Sequence, residues 1–255
     1  MAKYIFSEFD RSLRRRLAYI YFIGIFVLCI IANIAVVAFR TVYGTNEGTY
    51  AYNIIEYAAW SFIVPYLSCI IIEHIVFGSE YPDPHIKDGR TSGLGRSQIY
   101  LSKLITGIML AFVYLVITFV VLVATTSLFQ INDRELGAAA LKSFCGKLCL
   151  ALPLFLAGIS FATMFLFCFK EKWKAYVGYF TLTLIIPRII LMLAKEPPGI
   201  GVFKFLRTYT ISQCFMLIPY PSSPERSVAL ILGLGFIYAA IATVIGIIVY
   251  NRKDS

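Results

Sequence analysis

The chain has 255 residues, 59% of them apolar and 15% charged, with 23 lysines and arginines against 14 acids for a net charge of +9. A soluble domain carries about a quarter charged residues; the few here cannot cover a water-facing surface, and the mean hydropathy of +0.78 agrees. The basic residues sit at the ends of apolar runs rather than on one motif, which argues against nucleic acid and for topology signals touching anionic headgroups.

The N-terminal residues carry a helical stripe. At 100° per residue, Ala2, Ile5, Phe6, Phe9, Leu13 and Leu17 fall within about a 120° arc. Lys3, Ser7, Arg11 and Arg14 lie opposite, with Glu8 and Asp10 on the flanks. This predicts an interfacial helix over residues 1–16 on the cytosolic leaflet; a basic flank without defined structure is the plain alternative. Arg14-Arg15-Arg16 then leads into a run too long for a signal-peptide core, with no small-residue cleavage site after it.

A crossing helix needs about 20 mostly apolar residues. Six segments qualify: Leu17–Phe39, Ile54–Phe77, Tyr100–Leu128, Leu148–Phe169, Ala175–Leu193 and Val228–Tyr250. In lipid each must be helical, because only a helix satisfies its own backbone there. The expectation is an all-α integral membrane protein with six transmembrane helices. Fourteen of the 23 lysines and arginines fall on the side of the N-terminus, the 78–103 loop, the Lys170–Lys174 turn and the tail. Both termini are therefore expected in the cytosol. The outer loop 194–227 holds an apolar stretch, Thr208–Ile218, too short to cross and bounded by prolines. A re-entrant or surface-lying segment before the last helix is expected there.

Much chemistry is absent from the sequence. There is no GxxxxGK[ST] to cradle ATP phosphates, no HExxH and no GxSxG. The two histidines, His74 and His85, form no metal-ligand pair, and the six cysteines include no CxxC. Ionisable residues in or near the spans are Glu56, Glu73, His74 and Arg188. Such residues are functional candidates, although snorkelling or pairing explains each equally well.

The most informative segment lies between spans two and three: Glu80-Tyr81, then Gly93-Leu94-Gly95-Arg96-Ser97, then Tyr100-Leu101-Ser102-Lys103. It is longer and more polar than a turn between antiparallel helices requires. Pro82, Pro84, Gly89, Gly93 and Gly95 limit any helix in it to a short one near Ile86–Gly93. With the six-span architecture, this loop resembles the membrane subunits of type-2 ABC transporters. In that family an acidic residue after span two is followed some sixteen residues on by the Arg of a Gly-x-Ser-Arg-like turn. Glu80 and Arg96 have that spacing, with Gly95 in place of the Ser, and Gly89-Arg90-Thr91-Ser92 is more polar than usual. Tyr250-Asn251-Arg252-Lys253 matches the family's aromatic-then-basic ending.

The resemblance implies a single permease domain over residues 1–255, with no catalytic or metal site and no cofactor bound by this chain. ATP and Mg²⁺ would belong to a separate ABC ATP-binding subunit, and a second permease subunit, identical or not, would complete the path. Coupling would run through Glu80, Ile86, Asp88, Gly89, Arg90, Leu94, Arg96 and Ser97 of the 78–97 loop, and through Phe9 and Arg11 of the interfacial helix. A solvated loop with a surface Glu80–Arg96 pair is the alternative. Prolines 65 and 187 mark spans two and five as places to bend.

Aromatics crowd the outer side, as in any interfacial belt or as in a surface that handles an amphipathic, lipid-like molecule. Glu56, Tyr57, Trp60, Arg188, Tyr209 and Phe215 are the candidate substrate-path residues. The short chain is similar to small bacterial permeases of antimicrobial-peptide export and self-immunity, in the cell membrane. An ion-coupled secondary transporter is the rival class, but it usually shows inverted repeats, and none is visible. A non-transport membrane subunit is the other.

Overall fold

The computed structural model describes residues 1–44, 50–78, 93–169, 171–195, 201–219 and 225–252. In chain order these form α1 (Ala2–Leu13), α2 (Arg16–Tyr43), α3 (Ala51–Ala58), α4 (Ile63–Phe77), α5 (Arg96–Phe129), α6 (Arg134–Cys168), α7 (Lys172–Phe180), α8 (Ile186–Lys195), α9 (Gly201–Thr208), α10 (Ile211–Leu217) and α11 (Glu225–Arg252). Among the described residues five helical segments are long and apolar enough to cross a bilayer: α2, α5, α6, α7 continued into α8, and α11. The pair α3–α4, bent by 59°, makes a sixth when counted as one span. The protein is an all-α integral membrane protein.

Hydropathy located the spans but not their helix ends. Helix α6 begins at Arg134, fourteen residues ahead of the apolar run at Leu148. The reason is a polar cap: the Asp133 carboxylate accepts from the backbone N–H of Glu135 and Leu136 at 3.0 and 3.1 Å, satisfying donors that a helix start leaves orphaned. Helix α5 likewise opens at Arg96, where Gln98 Oε1 accepts from Gly95 N–H at 3.1 Å.

Both prolines singled out in the sequence sit beside a defect. The bend of span two is a 3₁₀ turn at Ala59–Ser61, just ahead of Pro65, which cannot donate to the carbonyl one turn back. Span five passes through a π-helical turn, Thr181–Ile185, immediately before Pro187, and such turns break the i→i−4 ladder locally. Pro153 is different: it lies inside α6, and α11 presents Gly235 to its backbone.

Two packing groups result. The larger has α6 at its centre, with α3–α4, α7 and α11 around it. In the smaller, α1 and α2 pack on α5, and α1 also touches α4, around Ala18, Ile72, Ile75, Val76, Leu110 and Tyr114. Polar side chains tie α2 to α5 within the span: the Asn33 amide donates to Thr125 Oγ1 at 3.3 Å and the Gln130 amide to the Asn33 carbonyl at 3.4 Å. In lipid, where burial of apolar surface no longer drives helix association, such bonds and close packing replace it.

Two short helices precede α11. Helix α9 is exposed, whereas α10 buries Ile211, Cys214 and Phe215 inside the bundle. Seven residues rise about 10 Å, far short of a bilayer.

A Cβ on Gly235 would lie 2.5 Å from Pro153 Cβ and 2.6 Å from its carbonyl carbon, whereas one on Gly233 would meet nothing within 4 Å. Gly235→Ala is therefore expected to destabilise by about 1–3 kcal/mol through overpacking. Gly233→Ala should be neutral or stabilising by up to about 1 kcal/mol. Thermal unfolding of the purified protein in detergent reads the opposite signs.

Candidate coupling site at the terminal end

Helix α4 ends at Phe77, and its last carbonyls lack intrahelical partners. Gly78 turns the chain with φ +51°, and the guanidinium of Arg15 occupies the space a side chain at that position would need. Arg15 Nη1 donates to the carbonyls of Ile75 and Val76, the latter at 3.0 Å. Lys103 Nζ approaches the same Val76 carbonyl at 3.5 Å and lies 5.9 Å from the centre of the Phe77 ring. Two cations thus cap the negative end of the α4 dipole, at the point where the 79–92 connector leaves.

Lys103 is held from the other side by the N-terminal helix. Its Nζ lies 2.5 Å from Glu8 Oε2, while Arg11 Nη1 donates to Glu8 Oε1 at 3.0 Å. Glu8 and Lys103 are each about 1% exposed, so the pair is dry. Phe9, half-buried, packs against the smaller apolar cluster that includes Ile72, Ile75 and Val76. Helix α1 is consequently bolted to the start of α5 and to the end of α4 together.

The C-terminal helix joins this end as well. Arg96 Nη1 donates to the Asn251 carbonyl at 3.2 Å, and the Asn251 amide to Ser97 Oγ at 3.3 Å. Phe167 of α6 stands at the centre of a ring cluster, 4.9 Å from Phe77, 4.8 Å from Tyr100 and 4.6 Å from Tyr250. Leu94, half-buried, precedes these contacts. Both termini and both ends of the connector therefore meet at one end of the bundle. In the neighbouring 171–174 turn, Lys174 and Trp173 donate to Glu171 at 2.8 and 2.6 Å. Those bonds, Lys174 first, hold its carboxyl below the usual range.

Of the residues expected to couple, Phe9, Arg11, Leu94, Arg96 and Ser97 lie here. Glu80, Ile86, Asp88, Gly89 and Arg90 lie outside the described residues. Glu8 and Arg15 were missed. A helical wheel puts Glu8 at the edge of the apolar arc, which for an isolated helix on lipid reads as a wet flank. The usable signal was an acid at the edge of that stripe together with a lysine, Lys103, at the start of span three.

The six candidate path residues do not converge. Glu56 pairs with Lys147 of α6 at 3.5 Å. Tyr57, Trp60 and Arg188 are exposed. The Tyr209 carbonyl accepts from Tyr238 Oη at 2.9 Å, and its ring stands 4.7 Å from Phe205. Phe215 is 4% exposed, against Tyr66 at 5.2 Å and Phe155 at 5.7 Å. None of the six lines the apolar cavity of about 100 Å³ between α2, α4, α5 and α6, which is walled by Tyr21, Phe62, Tyr114, Phe119 and Phe155. Among the described residues no three His, Cys, Asp or Glu side chains gather as metal ligands do.

Residues 4–196 match the ABC-2 family transporter protein model, which takes in nearly all of α1 and runs on through span five. No curated protein matches the chain.

Because Arg15 caps α4 from within the bundle while Arg14 only meets Asp10 at the surface, 3.1 Å away with both side chains exposed, the neighbouring arginines should behave differently. Arg15→Met is expected to cost about 1–3 kcal/mol by stranding the Ile75 carbonyl and leaving Val76's to Lys103 alone. Arg14→Met should change stability by less than about 0.5 kcal/mol. Thermal unfolding, with hydrogen exchange over residues 72–78, separates the two.

Proposed function

The chain belongs to the ABC-2 transporter family, and from that premise we propose that it is the permease of an ATP-driven exporter carrying an amphipathic substrate. Permeases of the family are the membrane component, not the ATPase, and work with an ATP-binding subunit. In this reading that subunit, holding ATP and Mg²⁺, presses on the 79–92 connector and on α1 from the cytosolic side of the cell membrane. A second permease subunit faces this one across the path. The meeting of both termini with the connector at one end supports placing all of them on the ATPase side.

The observation that carries the reading is the Glu8–Lys103–Val76 clamp. It joins the two elements a partner would push, so a displacement of either reaches spans two and three without slack. Substrate chemistry rests on less. Exposed Tyr57, Trp60 and Phe205 lie toward the opposite end, and the cavity wall is almost wholly apolar apart from a few hydroxyls. Both suit a molecule with an apolar body, such as a membrane-active peptide, a drug or a lipid-like compound.

Purification of the tagged chain expressed with a neighbouring ATP-binding subunit tests the reading. Recovery of the two together is expected, with ATP hydrolysis in nanodiscs rising severalfold on adding a cationic amphipathic peptide. Glu8→Lys should abolish that rise, and Glu8→Lys with Lys103→Glu should restore part of it, since only the exchanged pair remakes the clamp. Failure to recover any ATP-binding subunit would sink the proposal.

A further inference from the structure

Helices α5 and α6 do not close fully on each other. Protein interiors hold few voids larger than a water molecule, yet two apolar cavities flank this seam. The first, of about 100 Å³, is bounded by Tyr21 of α2, by residues 58–72 of span two, by residues 111–122 of α5 and by residues 144–159 of α6. From Ala111 to Leu122 a helix rises about 16 Å, so this cavity is a narrow slot running along the spans. The second, of about 230 Å³, lies on the α11 side and shares Ala111, Leu115, Phe155 and Ile159 with the first.

The two differ in their polar groups. Every residue around the second cavity is apolar, and Phe112, Leu152 and Phe236 among them are exposed. Lipid tails can fill it without selection. The slot carries hydroxyls, and most are occupied: Ser61 donates to the Ala58 carbonyl and Thr118 to the Tyr114 carbonyl, each at 2.7 Å, and Tyr21 lies beside Ser68. Tyr114 differs. It is 1% exposed, and its hydroxyl has no hydrogen-bond partner among the described residues. Tyr21 and Phe22 fix its ring at 4.8 and 4.6 Å, at the terminal end of the slot, where it packs in one cluster with Ile72. A buried hydroxyl without a partner is rare, and within hydrocarbon no water stands ready to serve it.

We propose that the slot is a binding site for a single-chain amphiphile, whose alkyl chain stands between α5 and α6 and whose head oxygen accepts a hydrogen bond from Tyr114. The walls divide accordingly. Tyr114 donates at the terminal end, while Phe119, Leu122, Phe144 and Leu148 line the slot toward its far end. An ester, amide or ether oxygen satisfies the orphaned hydroxyl; a plain hydrocarbon leaves it unmade at a cost. A cavity of about 150 Å³ takes one benzene, so this smaller slot admits one chain and excludes a second. That the occupant is cargo rests on the permease reading, whereas its binding needs only this chain.

The test is photolabelling of the full-length protein in lipid nanodiscs, without any ATP-binding subunit, read by peptide mass spectrometry. Two probes are compared: a fatty acid methyl ester with a diazirine at its tail end, and the matching diazirine alkane. Relative to labelling near Phe236, the ester should mark residues 118–122 and 144–148 about fivefold more than the alkane, the ratio one neutral hydrogen bond gives. Tyr114→Phe, which keeps the ring, should remove that excess. Ala58→Phe, which fills the far end, should lower slot labelling by both probes. Labelling near Phe236 should stay the same in both variants, which also reports that they are folded. Equal slot labelling by ester and alkane in the unaltered protein overturns the proposal without any substitution. So does an excess that survives Tyr114→Phe, or slot labelling that Ala58→Phe leaves unchanged. None of these outcomes depends on whether an ATP-binding subunit is ever found.

Discussion

A helix of twelve residues has little reason of its own to keep one position. Isolated helices of that length are marginal, and an amphipathic stripe attracts α1 to the interface without choosing where on it. What gives α1 a fixed seat is the dry contact of Glu8 with Lys103, reinforced by Arg11 and by Phe9 against the smaller apolar cluster. Burying two charges is expensive, and replacing such a pair by apolar residues is often harmless to stability. The pair is therefore better understood as a device for registry than as a source of free energy. It sets where α1 sits relative to α4 and α5, and so where the connector between them begins.

That registry matters because of how the bundle is divided. The group around α6 is an extended aromatic and aliphatic core, while α1 and α2 hang on α5 with support from the end of α4. Span two is stiff near its terminal end, where Arg15 and Lys103 cap it, and broken near its far end by the turn at Ala59–Ser61. Span five has its π turn before Pro187. The capped ends transmit displacement, and the defects give spans two and five places to absorb it.

How legible this was depends on the kind of signal. Span existence was plain in the sequence, since an apolar run of about 20 residues has no other stable home. The caps were readable but unread: Asp133 ahead of Glu135 is a common helix opening, yet hydropathy passes over it because the first three turns of α6 are not apolar. The bends near Pro65 and Pro187 followed from the missing donor. Phe215 was misjudged in kind, because an aromatic in an outer loop looks like a belt residue until α10 is seen to fold it against Tyr66 and Phe155. Glu8 and Arg15 were beyond reach for a deeper reason. A wheel describes a helix against a uniform solvent, and their partners come from residues about sixty to a hundred positions away.

Helices α4 and α5 take part in both packing groups, and the first three turns of α5 carry Ser97, Tyr100, Lys103 and Gly107 in succession. Each faces a different neighbour: Asn251 of α11, Phe167 of α6, Glu8 of α1 and Glu73 of α4. A helix advances 100° per residue, so contacts spaced three or four apart share a broad face, and that face here is where four other helices converge. No rotation or shift of α1 can be relieved locally, because the residue it grips lies between the aromatic contact on one side and the glycine notch on the other. A displacement of α1 would therefore be felt by α4 and α5 together, and the turn at Ala59–Ser61 gives span two a place to absorb it.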